Sequence, residues 1–249
     1  MKLLIFFVIV KAICVMAQPS FLETYYIPLP EPEMHSQIFR VLNPGGTTNT
    51  TTVSTISFAI AATGTQIYYY HWEDEYSSPE IWGDGNLTNG APPGSTSDLL
   101  IGGQAIVLES FIPFPRGQRR QYDGRDRIRS TLPIAMTRSA YPSITPGSLM
   151  AGAVEVFDTS RWGREYVSPV GVDTPNFSGS FATESTVLFV MAAFDGTIIN
   201  LPNRTSRILN EGQTFGITNV KQGDKISSDR PIQVHLLTGD VRDTYELRW

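Results

Sequence analysis

The motif DRIRSTLPI at residues 126–134 recurs as DKISSDRPI at residues 224–232, so the pattern D-[RK]-I-x-S-x-x-P-I occurs twice. Each copy is expected to form an acidic turn that leads through a proline into a buried strand, because proline is tolerated at the first residue of a strand. Two shorter strings recur in the same order. Phe58 with residues 61–67 matches Phe189 with residues 192–199, and residues 103–104 match residues 212–213. The chain is therefore predicted to contain an internal duplication.

The first copy is longer than the second, because its matching strings lie further apart. The extra residues fall in two places, at 68–93 and, over a shorter length, around 112–121. Loops added to a scaffold carry binding sites more often than the strands do. A functional site is therefore expected in these insertions.

Short runs of β-branched and aromatic residues recur along the chain, separated by Gly, Pro, Asn and Asp. They lie at residues 53–61, 66–70, 105–108, 151–157, 187–191 and 232–237. Helical spacing of apolar residues with capping signals is not sustained over ten residues anywhere, so long helices are not expected. The pattern predicts an all-β fold of β-sandwich type with little or no helix. Its two sub-units span about 50–140 and 180–249, and a segment at 141–179 links them.

Residues 1–17 have the features of a signal peptide: Lys2, an apolar run at 3–10, and small residues before a cleavage site after Ala17. Lys11 interrupts the run, which is shorter than the roughly 20 residues that a membrane-spanning helix needs. A secreted mature domain at residues 18–249 without membrane insertion is expected. The one cysteine, Cys14, lies in the leader, so the mature chain has no disulfide and depends on its core.

The formal net charge of the whole chain is −5, which argues against nucleic acid as a partner. Four N-x-[ST] sequons follow the leader and predict glycosylated surface loops. Their acceptors are Asn49, Asn86, Asn176 and Asn203.

Four segments resemble the N-terminal domain of IgGFc-binding proteins: residues 26–28, 122–138, 146–156 and 228–234. The resemblance covers nearly all of residues 18–249. It implies an extracellular β-rich module at the head of large mucus, adhesion or cell-surface proteins, but it brings no site residues, and its Fc ligand is not transferred. The chain lacks the cysteine-rich von Willebrand type D repeats of the vertebrate members and stops at Trp249. A truncated C-terminal end is therefore expected.

The best candidate for a ligand site is the aromatic and acidic part of the first insertion. Aromatic rings beside carboxylates can stack on sugars or anchor a protein partner. The alternative is that the aromatics pack on a sheet face while the acids lie in solvent. The candidate ligand-binding residues are Tyr70, His71, Trp72, Glu73, Asp74, Trp82 and Asp84.

Two other polar segments are more readily explained by structure than by binding. Asp84, Asn86 and Thr88 have the alternation of a calcium loop but lack its terminal glutamate, and the recurrence of Asp126 as Asp224 favours a turn. The arginines of the basic stretch from residue 116 to 129 are suited to an acidic glycan or a partner carboxylate, but Asp123 and Asp126 interrupt the stretch. A solvated loop with local ion pairs is therefore expected. Its arginines are Arg116, Arg119, Arg120, Arg125, Arg127 and Arg129.

The mature chain has none of the usual catalytic motifs: no G-x-S-x-G, no H-E-x-x-H, no P-loop and no cysteine. His35 lies near a start expected to be flexible, and His235 alternates with apolar residues and is expected to be structural. The sequence thus predicts a non-enzymatic extracellular binding or adhesion module for a protein or glycan, with no cofactor and no metal. A self-associating structural domain is the second hypothesis. A glycoside hydrolase is the third, because it needs only two carboxylates from among Glu73, Asp74, Glu75, Glu80 and Asp84.

Overall fold

A computed structural model describes residues 22–42, 51–143, 152–174, 185–239 and 247–248. These residues are built almost entirely from antiparallel β-strands, which confirms the predicted all-β class. In this part of the chain, no helix is long and apolar enough to cross a membrane. The predicted signal peptide with Cys14, and the sequons at Asn49 and Asn176, lie outside the described residues.

The first half is a sandwich of two four-stranded sheets. Their strand orders are β1-β6-β3-β4 and β5-β2-β7-β8. Alternate residues of each strand point inward, and Phe58, Tyr69 and Trp82 pack in the shared core. The strands are β1 (Glu23–Tyr26), β2 (Thr52–Ile60), β3 (Ile67–Tyr70), β4 (Glu80–Trp82), β5 (Ala105–Ile112), β6 (Arg127–Ser130), β7 (Ile134–Pro142) and β8 (Ala153–Glu155).

The second half has one long strand where the first half has two. Strand β14 pairs near its start with β9 and β11, and near its end with β10 and β15. A register shift between Ser227 and Ile232 accommodates Pro231, as expected for proline at a bulge. The strands are β9 (Gly163–Val167), β10 (Ser185–Ala192), β11 (Thr197–Asn200), β12 (Ser206–Leu209), β13 (Thr214–Thr218), β14 (Lys225–Gly239) and β15 (Leu247–Arg248).

The two halves pair their strands in the same order, since β9 to β13 take the places of β1 to β5, and β14 those of β6 and β7. Several side chains of the recurring strings also make the same turn hydrogen bonds in both halves. These likenesses support an internal duplication, which stays a prediction. The matched donors and acceptors are Thr65 to Ala62 and Thr197 to Phe194, Ile101 to Gln104 and Asn210 to Gln213, and Asp123 to Asp126 and Lys221 to Asp224.

One matched string is out of register by one residue. The ladder pairs Ile60 with Ile134 in the first half and Ala192 with Ile232 in the second, so Phe58 corresponds to Val190 and not to Phe189. A shift of one residue turns a side chain to the other face of a sheet. Phe58 accordingly packs in its own half's core, whereas Phe189 packs against the other half.

The buried strand β10 explains this difference, because the structure covers both of its faces. Leu188 and Val190 face the core of the second half, while Val187 and Phe189 pack with Leu29 and other residues of the first half. A strand covered on both sides reads as a continuous apolar run. We call this contact between the two halves the seam.

A helix, α1 (Glu31–Leu42), was not predicted. Its start carries acidic side chains in the first turn and Pro32 at the second residue, which are ordinary signals of a helix start. His35 lies in α1 and is buried, so it is not part of a flexible start. Glu31 pairs with the buried Arg138 of β7, which fastens the helix to the first half.

The described parts of the predicted linking segment at 141–179 pair with strands of both halves. Strand β8 extends the sheet of β7 in the first half, and β9 pairs with β14 in the second. Strand β1 joins the first half ahead of the predicted boundary at residue 50. The pairing therefore extends each half beyond the bounds expected from the recurring strings.

Candidate functional site

The two predicted insertions of the first half contact each other. The connection between β3 and β4 contains a 3₁₀ turn, Trp72–Asp74, and the connection between β5 and β6 packs against it. Glu73 pairs with Arg116, Asp74 pairs with Arg120 at 2.5 Å, and the backbone N–H of Gln121 donates to Glu73 at 3.2 Å. Residues widely separated in sequence thus form one polar unit at the end of the sandwich.

Arg116 is the central cation of this unit. Its Nε donates to Asp123 at 2.7 Å and its Nη2 to Glu73, and only 4% of its side chain is exposed. This differs from the solvated loop expected for the basic stretch. Arg116 thus pairs with an acid of each connection, and its loss would leave two buried carboxylates without their cation. We call His71, Glu73, Arg116, Asp123 and Asp126 the insertion cluster.

His71 is buried with both ring nitrogens facing acceptors. Nδ1 lies 3.0 Å from the carbonyl oxygen of Gln121, and Nε2 lies 3.3 Å from Glu80. Burial by itself would lower the pKa of His71, but hydrogen bonds and charge from Asp126 and Glu80 outweigh it and raise the pKa to about 10. The ring is therefore an imidazolium that donates from both nitrogens.

Asp126 is held by a turn that also occurs in the second half, where Asp224 accepts from Lys221. In the first half Asp126 also accepts hydrogen bonds from residues in and next to the insertion. Tyr69 donates to it at 2.7 Å and the backbone N–H of Trp72 at 3.2 Å. Burial raises the pKa of Asp126 to about 6, although His71 and Tyr69 act in the opposite direction.

The nitrogen of His71 and carboxylate oxygens of Glu73 and Asp126 lie within 4.8 Å of one another, a spacing that a metal ion could bridge. Metal binding needs a ring nitrogen with a free lone pair. Both nitrogens of His71 donate here, and Asp126 already accepts from several donors. The arrangement fits an internal ion network better than a metal site.

Trp72 and Tyr70 are stacked on arginines. The guanidinium groups of Arg125 and Arg116 lie 4.4 Å and 5.3 Å from the Trp72 ring centroid, and Arg127 lies 4.3 Å from that of Tyr70. The indole Nε1 of Trp72 donates to Asp123 at 3.0 Å. Both rings are half-buried, so part of each remains on the surface.

Trp82 is the one candidate that belongs to the core cluster of the first half. It has no exposed surface and stacks on Tyr69 with 5.3 Å between ring centroids. Its indole N–H donates to Glu80 at 3.3 Å. In this structure Trp82 belongs to the core and offers no surface to a ligand, which corrects its assignment as a ligand-binding residue.

Asp84 lies in an exposed loop that is organised by Asp98. The carboxylate of Asp98 accepts from four successive backbone N–H groups, those of residues 83–86. Asp84 itself accepts from Asn86 and Asn89 at 2.8 Å each. These aspartates thus satisfy N–H groups, which accounts for the calcium-like alternation without an ion. Asn86 and Asn203 of the two described sequons are both exposed.

A surface cavity of about 490 Å³ adjoins the insertion cluster. Phe111, Arg119 and Arg120 are exposed in its lining, and Arg116 and Gln121 join it to the cluster. We call this the insertion cavity. Two acids of the candidate site pair with arginines that line this cavity: Glu73 with Arg116, and Asp74 with Arg120.

Sequence reasoning missed the residues that tie the site together. Arg116 and Gln121 are not among the predicted ligand-binding residues, although the sequence predicts the second insertion, and no role is predicted for Asp98 or Tyr122. Tyr122 donates to Glu80 at 3.0 Å, and Asp98 is buried. The available signal was that both insertions occur in the same half, next to strands expected to be neighbours.

No family model, curated protein or solved structure matches the chain. The resemblance to the N-terminal domain of IgGFc-binding proteins therefore stays a prediction from the sequence.

Proposed function

We propose that the chain is a secreted, non-enzymatic recognition module that binds an extracellular protein or glycan at the insertion cavity. Secretion is inferred from the leader at residues 1–17 and the sequons, and the extracellular role from the family resemblance. The exposure of Asn86 and Asn203 supports glycosylation at those two acceptors.

The observation that carries the proposal is the convergence of both insertions on one cavity. Buried ion pairs are expensive to form, because two charges leave water. The first half nevertheless uses Glu73, Arg116 and Asp123 to fix two connections that have shorter counterparts in the second half. A rigid support of this kind is what a binding surface needs.

The chemistry of the cavity favours a partner that carries a carboxylate beside an apolar group. The lining has three arginines against one acid, Glu109. Arg119 and Arg120, the second of which also pairs with Asp74, offer planar donors suited to a carboxylate. Phe111 offers an exposed ring, with 59% of its surface accessible. Acidic peptides and sialylated glycans both present this combination. The same feature explains how an acidic chain can still bind an acidic partner.

The test is binding of the secreted chain to an array of neutral and sialylated glycans and to a panel of extracellular proteins. The informative variant replaces both Arg119 and Arg120 by serine, because both side chains are exposed and neither belongs to the insertion cluster. The change also removes the ion pair of Arg120 with Asp74, in which the arginine is half-exposed. The control replaces Arg164 and Arg207, which are also exposed but lie in the second half.

Selective binding that the Arg119→Ser, Arg120→Ser variant loses and the control keeps is the expected result. Equal binding by both variants would place the site elsewhere. A folded, monodisperse chain that binds none of the probes would overturn the proposal.

Self-association is the second candidate, and strand β5 favours it. In the described residues β5 has β2 as its one neighbour, and Val107 and Phe111 are 61% and 59% exposed. It contains no proline and one charged residue, Glu109, whereas prolines and charged side chains commonly protect a sheet edge. Sedimentation velocity over a range of concentrations tests this, and Val107→Lys should abolish any dimer that forms through β5.

A further inference from the structure

A second cavity lies on the seam, away from both insertions. It has a volume of about 540 Å³, within the range of small-ligand sites. Strand β8 and Phe157 form one wall, strand β14 forms the other, and Trp162 and Tyr166 line it between them. We call it the seam groove, and its lining side chains used below are Glu155, Phe157, Arg161, Trp162, Tyr166 and His235.

The aromatic side chains of the groove are fixed in place. The Trp162 N–H donates to the carbonyl oxygen of Phe157 at 3.2 Å, and the Tyr166 hydroxyl donates to that of Ile232 at 2.6 Å. Phe157 is 43% exposed, and the guanidinium of Arg161 lies 5.9 Å from its ring centroid. The groove thus offers an open ring face beside rigid aromatic neighbours.

The hydrogen-bond network determines which nitrogen of His235 carries the proton. The side-chain amide of Gln233 donates from Nε2 to the carbonyl oxygen of Tyr26 at 3.1 Å. Its Oε1 therefore faces Nε2 of His235 at 3.1 Å as an acceptor. Nε2 must carry the hydrogen, which leaves Nδ1 with a lone pair.

His235 is neutral at physiological pH, because burial lowers its pKa to about 4. Within the residues that the structure describes, Nδ1 has no hydrogen-bond partner. His235 lines the groove, so a hydroxyl group of a ligand bound there can donate to this lone pair.

We propose that the seam groove binds a neutral sugar, whose ring packs on Phe157 and whose hydroxyl groups donate to His235 Nδ1 and to the carboxylate of Glu155. Arg161 supplies a donor for a sugar oxygen. Sugar rings combine an apolar face with hydroxyl groups and so match this lining. A purely apolar ligand would leave the lone pair of Nδ1 unused and would place apolar surface beside the exposed carboxylate of Glu155, which would also repel an anion.

This site is independent of the insertion cavity, since the two have no lining residue in common. The sugar proposal can therefore fail while the insertion cavity still binds, and the reverse also holds. Variants at Phe157 and His235 report on the seam groove, whereas Arg119→Ser with Arg120→Ser reports on the insertion cavity.

The experiment measures saturation-transfer NMR and titration calorimetry of the secreted chain with methyl glycosides of glucose, galactose, mannose and N-acetylglucosamine. At least one of them should bind. Phe157→Ala and His235→Leu should each weaken that binding by about tenfold or more, as expected for the loss of one ligand contact. His235→Asn should restore part of it, because the amide oxygen can stand near the position of Nδ1.

Phe194→Ala is the matched control, since Phe194 is 46% exposed and lies outside the groove. It should bind the sugar as the wild type does. The proposal is overturned if none of the four glycosides binds to the folded chain. It is also overturned if Phe157→Ala and Phe194→Ala bind equally well.

Discussion

Glu31 and Arg138 form an ion pair whose two side chains are both buried. Arg138 has no exposed surface, and it also donates to Ser54 Oγ at 2.9 Å and to the carbonyl oxygen of Ser139 at 2.6 Å. Glu31 in turn accepts from the N–H of Gly124 at 3.0 Å. Each of the two buried charges is stabilised by the other, so loss of either side chain should destabilise the packing of α1 against the sandwich.

Arg138→Met tests this dependence. We expect the free energy of unfolding to fall by about 3–5 kcal/mol, the usual cost of leaving a buried charge unpaired. Urea denaturation followed by circular dichroism measures the change. Arg164→Met, at an exposed arginine, should change it by less than about 0.5 kcal/mol. Similar values for the two variants would contradict the role of the pair.

His71 makes stability depend on pH in a defined direction. Its pKa in the folded chain is raised to about 10, from an ordinary value of 6.5, so the folded state holds a proton that the unfolded state loses above neutrality. The stabilisation is complete below pH 6.5 and declines as the pH rises towards 10, by up to about 1.4 kcal/mol per pH unit.

His71→Gln should therefore make the free energy of unfolding less dependent on pH between pH 7 and 9. Its loss of unfolding free energy relative to the wild type should be largest near pH 7 and shrink by pH 9, because the wild type loses its advantage over that interval. Urea titrations of both proteins at pH 7, 8 and 9 give the comparison. A difference that stays constant across the three values would mean that the buried ring is neutral.

Among the structural elements, the turn before β13 is fitted against the first insertion. Gly212 has a φ of +67°, and a Cβ there would collide with the hydroxyl of Tyr76. In the first half the matching residue is Gly103, whose φ is +87° and whose surroundings are open. The same turn thus faces solvent in one half and the seam in the other, where Arg125 also donates to the Gly212 carbonyl oxygen at 3.1 Å.

Comparing the single variants Gly212→Ala and Gly103→Ala separates two contributions to the loss of stability, which are backbone strain and the contact with Tyr76 at the seam. Both changes place a side chain in the left-handed region, which destabilises by about 1 kcal/mol. Gly212→Ala must also displace Tyr76, so the unfolding free energy of this variant should fall by a further ~1–3 kcal/mol. Thermal and urea unfolding measure both variants. Equal losses would show that Tyr76 moves aside without cost.

At the scale of the whole molecule, the sequence predicted the all-β class better than it predicted which side chains are buried. Ile67 and Ile199 were matched correctly because each sits beside a fixed turn, and they pair with Ser130 and Ser228 in the same register. Phe189 was misplaced because β10 is apolar on both faces, so periodicity gives no sign of which face is which.

The candidate site was predicted only in part, for a physical reason. Local pattern identified His71, Trp72 and Glu73, but their partners Gln121, Asp123 and Arg116 are more than 40 residues away in sequence. Trp82 and Trp72 look alike in sequence, yet one is core and the other half-exposed. Contacts between distant insertions decide such differences, and no single segment contains them.

The seam should make the two halves unfold together. Phe189, Val187 and Leu237 of the second half pack with Leu29 and Met34 of the first, so unfolding of either half would expose apolar side chains of the other. Phe189→Ala should lower the free energy of unfolding by about 3–5 kcal/mol and leave a single transition in calorimetry, with equal calorimetric and van't Hoff enthalpies. Amide exchange should quicken in β2 as well as in β10. Phe194→Ala, at an exposed ring, should change neither quantity. Two separate transitions, or faster exchange confined to the second half, would instead mean that the halves are independent domains in contact.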